Sequence, residues 1–74
     1  MTALNKLNKV ISTTTKVSES SRSDSFKKEK FLRKKEKLNR IKSNNTKFSS
    51  LGAEDQTRLN THITTLETKI AELS

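Results

Sequence analysis

The sequence predicts an all-α protein, and three observations predict it. Proline is absent and Gly52 is the one glycine, so the punctuation that strand-and-turn folds need is missing. Good helix formers (Lys, Glu, Leu, Arg) dominate the middle of the chain. Towards the C-terminus Leu59, Ile63, Leu66, Ile70 and Leu73 recur at spacings of four, three, four and three, the period of one helix face. The expected order is a short N-terminal amphipathic helix, a polar linker, a basic helix and a heptad-patterned helix. The last two are expected to fold back as a helical hairpin or to run on as one bent coiled-coil helix.

Residues 1–17 make the N-terminal amphipathic segment. Leu4, Leu7, Ile11 and Thr14 lie at spacings of three, four and three, and Thr2 suits the N-cap. The run Thr13-Thr14-Thr15 weakens the helix, because β-branched side chains lose freedom there. A short strand over residues 10–17 is the rival reading. Residues 18–25 have nothing to bury and read as a Ser-rich linker, ending in cap residues Ser23, Asp24 and Ser25. These serines would also take phosphate beside a basic segment, although a plain linker is the simpler account.

Residues 26–48 make the basic helix. Its apolar positions are sparse, and Phe31, Leu38, Ile41 and Phe48 keep a heptad-like register. The rest of the circumference is expected to be cationic. Ser43-Asn44-Asn45-Thr46 reads as a break. In residues 49–74, Ser49 or Ser50 is expected to cap the last helix, with Glu54 and Asp55 near the positive end of its dipole. Ile63 and Ile70 at a, with Leu59, Leu66 and Leu73 at d, is the pairing of parallel two-stranded coiled coils. The stripe spans only about two heptads and is interleaved with Thr, so another helix must share it. The expected helix–helix interface is therefore Phe31, Leu38, Ile41, Phe48, Leu59, Ile63, Leu66, Ile70 and Leu73.

Composition restricts the chemistry. Cysteine is absent and His62 is the single histidine, which leaves no disulfide, thiolate site, thiol nucleophile or histidine metal cluster. One glycine cannot build a phosphate-binding loop. Catalytic residues, cofactors and metals are accordingly not expected, and the chain reads as non-enzymatic. No apolar run approaches the roughly 18 residues of a membrane span. Hydrophobic residues are 28% of 74, too few to offset the ordering entropy of a lone globule, so association into a homo-oligomer or larger protein assembly is expected.

The net charge of +8 is local. Residues 1–25 carry +2, residues 26–48 carry +8 and residues 49–74 carry −2. Lys27, Lys28, Lys30, Arg33, Lys34, Lys35, Lys37, Arg40 and Lys42 are the expected contacts to nucleic acid or an acidic partner surface. Lysine outnumbers arginine eight to two over residues 26–48, which favours phosphate contact over base reading. The competing account is a solvated face kept basic for solubility. A basic helix ahead of a Leu/Ile heptad pattern resembles the basic-zipper layout. However, Asn39-Arg40-Ile41-Lys42 lacks the base-reading signature, and Gly52 lies between the two parts.

The favoured function is a small structural or assembly protein that docks by its apolar seams, with a virion or nucleoprotein particle as one setting. A dimeric nucleic-acid-binding regulator is the alternative, and a small inhibitor of another protein a further one. His62 is expected to be an ordinary exposed histidine, or to meet Glu67 of a parallel copy. The expected location is the cytoplasm or such a particle, not the secretory route.

Overall fold

The computed structural model describes residues 2–74 and contains four helices: α1 (Ala3–Glu19), α2 (Asp24–Ser43), α3 (Asn45–Ser49) and α4 (Ala53–Glu72). Among the described residues there is no strand. Three of the four helices start where a short polar side chain takes an unpaired backbone N–H. Thr2 Oγ1 accepts from Asn5 N–H at 3.1 Å, Ser23 Oγ from Phe26 N–H at 3.3 Å, and Asn44 Oδ1 from Lys47 N–H at 3.1 Å.

Residues 10–17 are helical, and the Thr run shows how. Thr13 and Thr14 turn their hydroxyls back onto the carbonyls of Lys9 and Val10, both at helical spacing. A side chain that would otherwise favour a strand is thereby satisfied inside a helix. The linker is shorter than residues 18–25: α1 runs through Glu19 and α2 starts at Asp24. The break after α2 falls at Asn44, inside the expected break at residues 43–46, and Asn44 both ends α2 and caps α3. Neither Ser49 nor Ser50 caps α4. Gly52 occupies that position without a side-chain bond, while Gln56 Nε2 donates to the carbonyls of Phe48 and Leu51 and closes the α3–α4 turn. Glu54 and Asp55 do lie in the first turn of α4, where carboxylates suit the dipole.

The arrangement is a three-helix bundle, neither a free-standing hairpin nor one bent helix. α2 packs most extensively on α4, and α1 fills the remaining side against both. Ser18 lies near Lys27, and Lys69 reaches the ring of Phe31, so α2 runs antiparallel to α1 and to α4. The extents, 36 × 19 × 17 Å, are those of a bundle about one helix long.

One interior holds the apolar residues of all three long helices. Leu7, Leu38, Leu59 and Leu66 are fully buried, and Phe31, Ile41, Val10, Leu51, Ile63 and Ala3 nearly so. Phe48, Ile70 and Leu73 are partly buried against that core. The expectation that two thin seams need a second molecule overlooks α1, which lays Ala3, Leu7 and Val10 on them. The buried face of α1 is also rotated from the expected one. Ala3 and Val10 point inward with Leu7 and Thr14, while Leu4 is 38% exposed. No helix among the described residues is long and apolar enough to cross a membrane.

Candidate nucleic-acid interface

With one helix face committed to the core, α2 distributes its cations unevenly. Phe31, Leu38 and Ile41 face inward. At about 100° per residue, Glu29 and Glu36 fall on the opposite ridge, and both are exposed. Glu29 is already bonded to Arg33 at 2.8 Å. The outward ridge of α2 is thus of mixed charge, with Glu29 and Glu36 set among basic neighbours, and the cations lie around the rest of the exposed circumference. A helix that kept its acids inward would bury carboxylates at high cost. Glutamate therefore goes outward, and the lysines crowd the flanks.

Of the nine expected contacts, Arg33, Lys37, Arg40 and Lys42 are exposed, while Lys27, Lys28, Lys30, Lys34 and Lys35 are half-buried. Two of the nine serve the fold itself. Lys27 Nζ donates to the carbonyl of Ser18 at 3.3 Å, near the last turn of α1, and Arg33 is taken by Glu29. Lys30 Nζ sits 5.3 Å from the ring centre of Phe26, and the guanidinium of Arg22 lies at the same distance.

Lysines of α1 and α2 act together on Lys34. Lys34 holds its proton less tightly than an ordinary lysine, first because burial strips water from its ammonium. Repulsion from Lys37, Lys30 and Lys9 follows in that order. Lys30, Lys34 and Lys37 share one flank of α2 by helical period, and the charge of Lys9 on α1 also acts on Lys34. Among the described residues none of these four is ion-paired, since the two salt bridges present are Arg33–Glu29 and Arg58–Asp55. These four lysines, without a carboxylate partner among the described residues, make a cationic patch to which α1 and α2 both contribute. Lys9 was not among the expected contacts.

His62 departs from both expectations. It is half-buried at the α1–α4 seam, with Nε2 3.0 Å from Thr14 Oγ1. Thr14 is the buried polar residue of the interior. Its hydroxyl proton goes to the carbonyl of Val10 at 2.7 Å, so Nε2 is the donor in the second bond. Burial first, then Lys69, Arg58 and Lys34, push the imidazole below its ordinary pKa and favour the neutral ring. Beside it, Arg58 bridges Asn8 of α1, at 3.0 Å, to Asp55.

The molecule's concavities are shallow grooves, such as that lined by Ile11, Thr57, Arg58, Thr61, His62 and Thr65. Among the described residues no group of three or more His, Asp or Glu side chains is placed to hold a metal ion. No family model, curated protein or solved structure matches the chain.

Proposed function

We propose that this chain is a non-catalytic binding module that lies on the phosphate backbone of nucleic acid, as a small component of a nucleoprotein assembly. The observation that carries this reading is the cluster of Lys9, Lys30, Lys34 and Lys37, drawn from two helices and free of carboxylate partners among the described residues. Lysines gathered at the cost of mutual repulsion gain most from a ligand that brings several negative charges at once. Lys30 to Lys37 spans about 10 Å of helix, enough to meet more than one phosphate of a strand. Phosphate contact by lysine reads backbone and shape, and the cluster offers no arginine fork for guanine edges. Little sequence preference follows. Of the nine seam residues expected to dock the chain elsewhere, six are buried in its own interior and Phe48, Ile70 and Leu73 pack partly against it, so the outer basic flank carries the interaction.

Fluorescence anisotropy with a labelled duplex at low salt tests the reading. Reversing Lys9, Lys34 and Lys37 to Glu should abolish submicromolar binding. Reversing Lys28, Lys35 and Lys42, on the other flank of α2, changes the net charge equally and should weaken it far less. Equal losses from the two sets would assign binding to overall charge alone. Binding to polyglutamate without binding to duplex or RNA would move the reading to an acidic protein partner.

A further inference from the structure

Two of the three phenylalanines serve the interior: Phe31 is buried, and Phe48 packs partly against the core. Phe26 does neither. It is 37% exposed in the first turn of α2, where its N–H is held by the Ser23 cap. Two cations lie over its ring, each 5.3 Å from the ring centre. One is the guanidinium of Arg22, from the α1–α2 loop, and the other the ammonium of Lys30, from the next turn of α2. Neither has a carboxylate partner, since the ion pairs among the described residues are Arg33–Glu29 and Arg58–Asp55. At about 100° per residue, Lys30 and Lys37 follow Phe26 within about 40° of one line along the helix. Phe26 to Lys37 covers about 16 Å, so the ring stands at one end of a cationic row. Leu32, also exposed on α2, lies about 120° away around the helix, and the two side chains make no joint apolar patch for a protein partner.

We infer that Phe26 is a stacking platform for an unpaired nucleobase, with Arg22, Lys30 and Lys37 taking the adjoining phosphates, so that single-stranded nucleic acid is the ligand that engages the whole site. This rests on the nucleic-acid reading proposed above and narrows it. The chemistry follows from what each group lacks. The ring is left part open to water, and the cations over it have no anion. A strand supplies both needs at once: the flat face of a base for the ring, and phosphate oxygens for Arg22 and Lys30. In a duplex each base face is already stacked on its neighbours, so only an unpaired base can lie on the ring without breaking that stack. Stacking of this kind accepts every base, in keeping with the low sequence preference of lysine contacts.

Fluorescence anisotropy on the full chain, with three labelled ligands of equal length, tests the platform: a single strand, the same strand without its bases, and a duplex. The parent should bind the single strand at least about fivefold more tightly than the abasic one, although their charges are equal. Phe26→Leu keeps an apolar side chain at an exposed site and should unfold at the parent's urea midpoint. It should nevertheless remove the difference between the two single strands, while duplex and abasic affinities stay as in the parent. Leu32→Ala should change none of the three. The sequence has no tryptophan, so Phe26→Trp adds a unique reporter, whose emission should be quenched by the single strand and not by the abasic one. Equal binding of the two single strands by the parent, or a difference that survives in Phe26→Leu, would overturn the platform and leave the phosphate reading in place. Equal losses for all three ligands in Phe26→Leu would mean that the ring only positions Arg22 and Lys30, and would overturn it too. A parent that binds none of the three would remove both this inference and the proposed function.

Discussion

Replacing Leu7 by Ala probes whether α1 belongs to the core or merely decorates a two-helix hairpin. Leu7 has no exposed surface, and the cavity left by such a change costs about 2–5 kcal/mol. At about 0.05–0.15 kcal/mol per residue, a chain of 74 residues has roughly 4–11 kcal/mol of stability in total. The substitution should therefore remove a large share of it, and leave the variant partly unfolded at room temperature if the parent lies at the lower end. Urea unfolding followed by the helical circular dichroism signal measures the loss. Leu4→Ala, at a site 38% exposed, serves as the comparison and should cost much less. A loss below about 0.5 kcal/mol for Leu7→Ala, the figure for surface sites, would place α1 outside the core and refute the three-helix reasoning.

Other perturbations follow from the same geometry. His62 has a lowered pKa in the folded chain, so the unfolded chain binds more protons as pH falls through about 6.5, the ordinary histidine value. Stability should be level above that pH and decline from there towards the lower folded value, and His62→Gln should flatten the decline in a series of urea midpoints between about pH 5 and 8. Ser23→Ala removes the acceptor for Phe26 N–H and should cost about 1 kcal/mol in the same assay. Gly52→Ser should instead stabilise by a few tenths of a kcal/mol. The position caps α4 with φ −66°, lacks a side-chain cap, and leaves an added Cβ 4.0 Å from Asp55 Oδ2.

Much of the bundle was legible because helical period is a local property. The stripe Leu59, Ile63, Leu66, Ile70, Leu73 needs only its own segment to be seen, as do the cap residues Thr2 and Ser23. What was not legible depends on which helices meet. Thr14 falls on the expected inward face of α1, but its polar partner across the bundle, His62, shows only when α4 is brought to it. Val10 and Ala3 are buried while Ile11 is only partly so and Leu4 is exposed, because α1 sits in a groove formed by two other helices. Its inward direction is set by that groove and not by its largest side chains. Lys9 joins the cluster for the same reason: nothing within residues 1–17 says that another run of lysines lies opposite. The ridge occupied by Glu29 and Glu36 could be found by period alone, once Phe31 and Leu38 fixed the inward face.

The central claim is that a compact set of lysines on α1 and α2 neutralises phosphates, and the salt dependence of duplex affinity measures it most directly. For four lysines the slope of log K against log salt should be about −3.6. Each replacement among Lys9, Lys30, Lys34 and Lys37 by Gln should flatten it by about 0.9. A slope no steeper than about −1, or one unmoved when all four are replaced, would contradict the account.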